Sequence, residues 1–103
     1  MSIIRVDKNQ NYTVMSNAHL RDKDLSLKAK GLLSVVLSLP DEWNYSLSGL
    51  ASISKEGITA IRSAINELQE YGYVKIEKLY PEKEIGRTHI EYAYTFYENR
   101  QGV

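Results

Sequence analysis

Ser46-Leu-Ser-Gly-Leu-Ala-Ser-Ile-Ser-Lys-Glu-Gly-Ile-Thr-Ala-Ile-Arg-Ser-Ala-Ile-Asn-Glu-Leu-Gln-Glu-Tyr-Gly-Tyr-Val74 contains two apolar repeats of helical period, a break between them and a glycine stop. Ser46 is suited to accept a backbone N–H as an N-cap, and Leu47, Leu50 and Ala51 then share one stripe of a short helix. The small Ala51 allows a second helix to cross closely. Ile53 and Ser54 interrupt the pattern. Ser54 offers a second N-cap, with Lys55, Glu56 and Gly57 expected in the first turn of the next helix. There Ile58, Ile61, Ile65 and Leu68 recur at spacings of three and four, which puts them on one face. Gly72, just past Tyr71, is placed to end that helix as a C-cap. Two short helices, a tight turn and the start of a strand make the layout of a helix-turn-helix.

Advancing about 100° per residue from Ile58, the polar face of the second helix carries Thr59, Ser63, Asn66 and Glu70, with Glu56 beside them and Lys55 and Arg62 at the flank. Hydroxyl, amide and guanidinium groups are those that bond to base edges and phosphates in a major groove. Any exposed helix also shows a polar face, and paired helices occur in bundles that bind nothing. Periodicity alone leaves both readings open.

Downstream the period changes from 3.6 to 2. Val74 and Ile76, then Ile90, Tyr92, Tyr94 and Phe96, alternate with polar neighbours as two half-buried strands do. Pro81-Glu-Lys-Glu-Ile-Gly-Arg87 forms a polar turn between them, so a β-hairpin wing follows the helix. Five aromatic residues fall between Tyr80 and Tyr97, a number that raises base stacking. Because Tyr92, Tyr94 and Phe96 share one strand face with Ile90, they are expected to cover the core instead.

Upstream, Ser26 is suited to cap a helix in which Leu32, Val35, Val36 and Leu39 repeat before Pro40, with Leu33 and Leu37 widening the apolar surface. A helix apolar on most sides is expected to be sandwiched, and this one is taken as the central core helix. Its first turn bears Lys28 and Lys30, either solvated or set against a phosphate backbone. Ser16 or Asn17 is suited to cap a short turn through Leu20. Ile3-Ile-Arg-Val and Tyr12-Thr-Val-Met are β-prone runs around a turn-rich segment, which predicts an amino-terminal strand or hairpin. Trp43, in the link after Pro40, is expected to plug a gap between helices.

The 103 residues suit one domain, with 11–97 as its core and 98–103 as a frayed tail. The apolar fraction of 43% fits a folded globule rather than disorder. There is no cysteine, which excludes disulfides and thiolate metal sites. No stretch approaches the roughly 20 apolar residues of a membrane span, and the amino terminus lacks signal-peptide features, so a cytoplasmic protein is expected. His19 and His89 lie in different elements, with no glycine-rich phosphate loop and no H-E-x-x-H spacing. An enzyme reading, a cofactor, a metal and a small-molecule substrate therefore have nothing to rest on. Net charge is zero, but residues 1–39 carry six basic against three acidic groups and residues 40–103 seven against ten.

Tyr12-Thr-Val-Met-Ser-Asn17, Leu20-Arg-Asp-Lys-Asp-Leu-Ser-Leu-Lys-Ala-Lys-Gly31 and Leu37-Ser-Leu-Pro-Asp-Glu-Trp43, followed by Leu50–Gly57, Ile61–Leu68 and Gly72-Tyr-Val, resemble a known family. It is the amino-terminal winged-helix domain of replication initiator and replisome-organiser proteins from phages, plasmids and integrative elements of Gram-positive bacteria, related to the DnaD amino-terminal domain. Ser26-Leu-Lys-Ala-Lys-Gly31 is its more specific signature. The resemblance implies an α+β winged helix-turn-helix, with three or four helices, a carboxy-terminal hairpin wing and an amino-terminal strand. It also implies double-stranded DNA binding, with Thr59, Arg62, Ser63 and Asn66 in the major groove and Lys55 on phosphate. Arg87 would reach the adjacent backbone or minor groove, with Lys28, Lys30 and Lys83 as further phosphate contacts. A homodimer and replication-protein partners are implied too. A transcription regulator of the same fold, and a docking or oligomerisation module that does not touch DNA, remain the alternatives.

Overall fold

The computed structural model describes residues 2, 3, 5, 11–40 and 46–102. Three helices precede a two-stranded antiparallel sheet: α1 (Leu27–Leu37), α2 (Leu47–Ser52), α3 (Ile58–Glu70), β1 (Val74–Leu79) and β2 (Glu91–Phe96). The α+β winged helix-turn-helix expected from the sequence is the fold observed. Each helix start has a local cause. Ser26 Oγ accepts the Ala29 N–H at 3.1 Å, and Ser46 Oγ accepts the Gly49 N–H at 3.0 Å. The Ser16 hydroxyl likewise accepts from Ala18 N–H, tightening the turn before α1.

The core lies where α1, α3 and the base of the sheet meet. Leu25, Ala29, Leu33 and Val36 pack with Leu50, Ile61, Ala64, Ile65, Leu68, Tyr73 and Val74, all buried. α3 carries most of this contact surface because α1, α2 and β1 all pack on it. It ends in a Schellman turn. Gly72 has φ +84°, its N–H reaches Gln69 O at 3.2 Å, and Tyr73 N–H reaches Leu68 O at 2.8 Å.

The structure corrects several expectations. Ser54 does not cap α3: its hydroxyl donates to Leu50 O at 2.7 Å and closes α2, while α3 starts later, at Ile58, after an N-cap Gly57 with no side-chain cap. Lys55 and Glu56 therefore belong to the turn. Ile58 is 42% exposed, because the buried stripe of α3 is centred on Ile61, Ala64, Ile65 and Leu68 and Ile58 sits at its edge. α1 is not sandwiched either, since Leu27 and Val35 are exposed on its outer side. Tyr12–Met15 joins no sheet among the described residues, and Tyr12 and Val14 are exposed. The expected strand at Ile3–Val6 falls in part, and Trp43 wholly, outside the described residues.

Residues 98–101, expected to fray, are tied to the body. Gln101 N–H donates to Gly72 O at 2.8 Å, and Arg100 Nη2 meets Asp22 Oδ2 at 2.6 Å and Asp24 Oδ2 at 3.2 Å. The Arg100 guanidinium also lies 5.2 Å from the Tyr71 ring centre. Tyr73 donates its hydroxyl to the same Asp22 oxygen at 2.7 Å. That hydrogen bond, with the Asp24 N–H and Arg100, holds Asp22 below the usual carboxylate range.

Candidate nucleic-acid interface

On α3, Thr59, Arg62, Ser63, Asn66 and Glu70 are exposed and lie opposite the buried stripe. The face exists because the apolar residues of this 13-residue helix repeat at the helical spacing and leave the other side polar. Lys55 is exposed in the turn just before it. The N-cap Gly57 offers no side-chain acceptor to the first turn of α3, and the start of a helix favours an anion.

Two contacts fix α1 against α3. Glu67 accepts the Ser26 N–H at 2.6 Å on one carboxylate oxygen and the Ser26 hydroxyl at 2.7 Å on the other. The backbone bond from Ser26 is the main reason the Glu67 pKa is lowered; the Ser26 hydroxyl and nearby Lys28 act in the same direction. One residue pair away, Lys28 Nζ donates to Ser63 Oγ at 2.9 Å. Sequence spacing could not show these pairs, whose members lie 41 and 35 residues apart.

Lys28 and Lys30 are separated by about 200° around α1 and do not act together. Lys28 joins the exposed edge of α3. Lys30 is half-buried on the other side, where its charge, after burial, helps to lower the pKa of His19. His19 is fully buried, and Nε2 bonds Ser34 Oγ at 2.8 Å. Because that hydroxyl gives its proton to Lys30 O, Nε2 is the protonated nitrogen, and buried Nδ1 has no partner among the described residues.

In the wing, Lys83 is exposed in a 3₁₀ turn at Lys83–Ile85. Gly86, with φ +75°, turns the chain back so that Glu82 and Arg87 pair through both backbone bonds. Arg87 is held differently from the expectation of a reaching side chain. Only 18% of its side chain is exposed; Nη1 donates to Tyr80 O at 3.1 Å, and Glu82 and Glu91 lie within 3.9 and 3.7 Å. The structure thus brings Lys55, Thr59, Arg62, Ser63, Asn66 and Lys28 to one side, and leaves Lys30 apart and Arg87 engaged within the wing.

Among the described residues no group of His, Cys, Asp and Glu could hold a metal ion, and no helix is long and apolar enough to cross a membrane. Three helices with a tight α2–α3 turn and a following hairpin define a winged helix-turn-helix protein. The family profile described as a helix-turn-helix domain matches residues 23–74, and the chain belongs to that family. The match spans α1 to the start of β1, and membership suggests DNA binding. No curated protein and no solved structure matches the chain.

Proposed function

We propose that the chain binds double-stranded DNA through α3 in the major groove, as the DNA-binding domain of a replication initiator or replisome organiser. The observation that carries the duplex reading is the exposed row Thr59, Arg62, Ser63 and Asn66, backed by a buried stripe that holds the helix rigidly. Arg62 and Asn66 offer the guanidinium and amide groups that read guanine and adenine edges. Thr59 and Ser63 supply hydroxyls. Lys55 and the uncapped helix start suit one phosphate, and Lys28, already bonded to Ser63, suits another. Lys83, exposed in the wing turn, would meet the flanking backbone, whereas Arg87 would first have to leave its carboxylate and carbonyl partners.

The replication role rests on the resemblance carried by Ser26-Leu-Lys-Ala-Lys-Gly31 and the segments around it. A cytoplasmic homodimer with replication-protein partners belongs to the same reading. The zero net charge and the exposed Leu27 and Val35 favour, as a second reading, a docking module of the same fold. Fluorescence polarisation with a mixed pool of labelled duplexes at low salt, repeated at about 200 mM salt, separates the two. Duplex binding that weakens with salt and drops in Arg62→Ala supports the proposal; no duplex binding even at low salt overturns it.

A further inference from the structure

The outer part of the hairpin is not covered by the core and differs chemically from its base. Antiparallel register places Val74 opposite Phe96, Ile76 opposite Tyr94 and Lys78 opposite Tyr92. Alternation puts these three pairs on one face of the sheet. The first two pairs cover the core, with Val74 buried and Ile76, Tyr94 and Phe96 packed against it. The third does not. Tyr92 is 56% exposed, Tyr80 just beyond β1 is 63% exposed, and Ile90 continues the face, also exposed. Lys78 Nζ lies 5.4 Å from the Tyr80 ring centre, so the cation and that ring occupy the same surface. Tyr92, expected from its period to cover the core, thus faces solvent.

Charge is segregated across the same strands. The opposite face carries Lys75 with Thr95, Glu77 with Ala93 and Leu79 with Glu91, so both strand carboxylates lie away from the tyrosines. Lys78 is the only charged strand residue on the aromatic face. A surface of flat rings with one cation and no strand carboxylate suits a ligand that is both planar and anionic. The patch is also small. A stable protein interface buries roughly 1,200–2,000 Å² in all, whereas a fully buried aromatic side chain contributes about 150–250 Å². Two half-exposed tyrosines with Ile90 fall well short of that area. Stacking of one or two unpaired bases needs no more than ring faces and a nearby cation.

We propose that the outer face of the wing, formed by Lys78, Tyr80 and Tyr92, is a stacking platform for single-stranded nucleic acid. Bases lie on the two rings and Lys78 meets the phosphate between them. This surface is separate from the α3 face and does not depend on duplex reading.

The test is fluorescence polarisation of the full chain at about 50 mM salt with labelled oligothymidylate and oligouridylate of about 12 nucleotides, alongside a duplex. Wild type is expected to bind the single strands, and the two sugars distinguish DNA from RNA as the natural source. Tyr92→Ala is expected to weaken that binding about ten-fold, Tyr92→Phe to retain it, and Lys78→Glu to weaken it. Arg62→Ala is expected to leave it within about two-fold while changing duplex binding, so the two surfaces fail independently. Circular dichroism spectra that match wild type show that the variants fold. Tyr80→Ala is likewise expected to weaken binding; absence of single-strand binding by wild type, or binding at the wild-type level by Tyr92→Ala and by Tyr80→Ala, overturns the proposal. So does a concentration-dependent mass that Tyr92→Ala abolishes, since the face would then pair with a second copy.

Discussion

Replacing two glycines by alanine should move stability in opposite directions, because the same added methyl group meets different surroundings. Gly31 lies inside α1, and a Cβ there would have no atom within 4 Å. Only the helix-propensity difference operates, worth about 0.8–1.0 kcal/mol in favour of alanine. A domain of this size gains about 4–8 °C in Tm per kcal/mol. Gly72 has φ +84°, and its Cβ would lie 2.7 Å from the Gln101 carbonyl oxygen and 3.2 Å from Arg100 Cγ. The left-handed backbone costs alanine about 1–2 kcal/mol. Displacing the 100–101 segment would also cost the Gln101 N–H bond to Gly72 O, worth about 0.5–1.5 kcal/mol. The sum is about 1.5–3.5 kcal/mol, or a Tm lower by about 6–28 °C. Thermal unfolding followed by far-ultraviolet circular dichroism reads both. Gly72→Asn separates the terms, since asparagine tolerates the left-handed region but still brings a Cβ against Gln101; it should recover part of the loss. A neutral Gly72→Ala, or a destabilised Gly31→Ala, would refute the reasoning.

Ser26→Ala removes the cap on α1 and one of two bonds to Glu67, so urea unfolding should show a loss of about 1–2 kcal/mol; a change below about 0.3 kcal/mol would mean the clamp contributes nothing. Acid should destabilise the protein in two stages. Burial, assisted by Lys30 and opposed by Glu98, lowers the folded-state pKa of His19 from 6.5, so below that pH the unfolded chain takes up a proton that the folded one refuses. Stability falls there and levels off once the folded state also protonates. The second stage comes from Glu67 and Asp22, whose folded-state values lie below 4.5 and 3.8, so their contribution is present above those values and is lost as pH falls through the lowered ones. Urea midpoints at pH 7.5 and 5.5 should differ in wild type and differ less in His19→Gln; equal drops in both would clear His19 of the first stage.

The legible parts of the fold were those set within a turn or two of chain. Ser26 and Ser46 cap as read because the hydroxyl and the N–H it accepts are three residues apart, and Gly72 stops α3 because a left-handed residue is needed there. Ser54 was equally able to begin α3 or close α2, and the Leu50 carbonyl took its proton. Period-2 alternation correctly grouped Tyr92 with Tyr94 and Phe96. It carried no information on where along the strand the core ends, and Tyr92 lies outside the core cluster that Tyr94 and Phe96 pack against. On the candidate site, the exposed face of α3 was visible from helical geometry. Its links to α1 through Lys28–Ser63 and Ser26–Glu67, and the retention of Arg87 by Tyr80 O, depend on tertiary placement and left no mark in local spacing.

The most direct test of duplex reading by α3 is selection of sites from a random duplex library, followed by affinities of wild type, Asn66→Ala and Lys55→Ala on the enriched site and its single-base variants. If α3 occupies the major groove, Asn66→Ala should cost about 1–3 kcal/mol and relax preference at one base pair. Lys55→Ala should weaken all sequences alike and reduce the salt slope by about one. A library with no enriched site, or an enriched site bound equally by all three proteins, would contradict that placement.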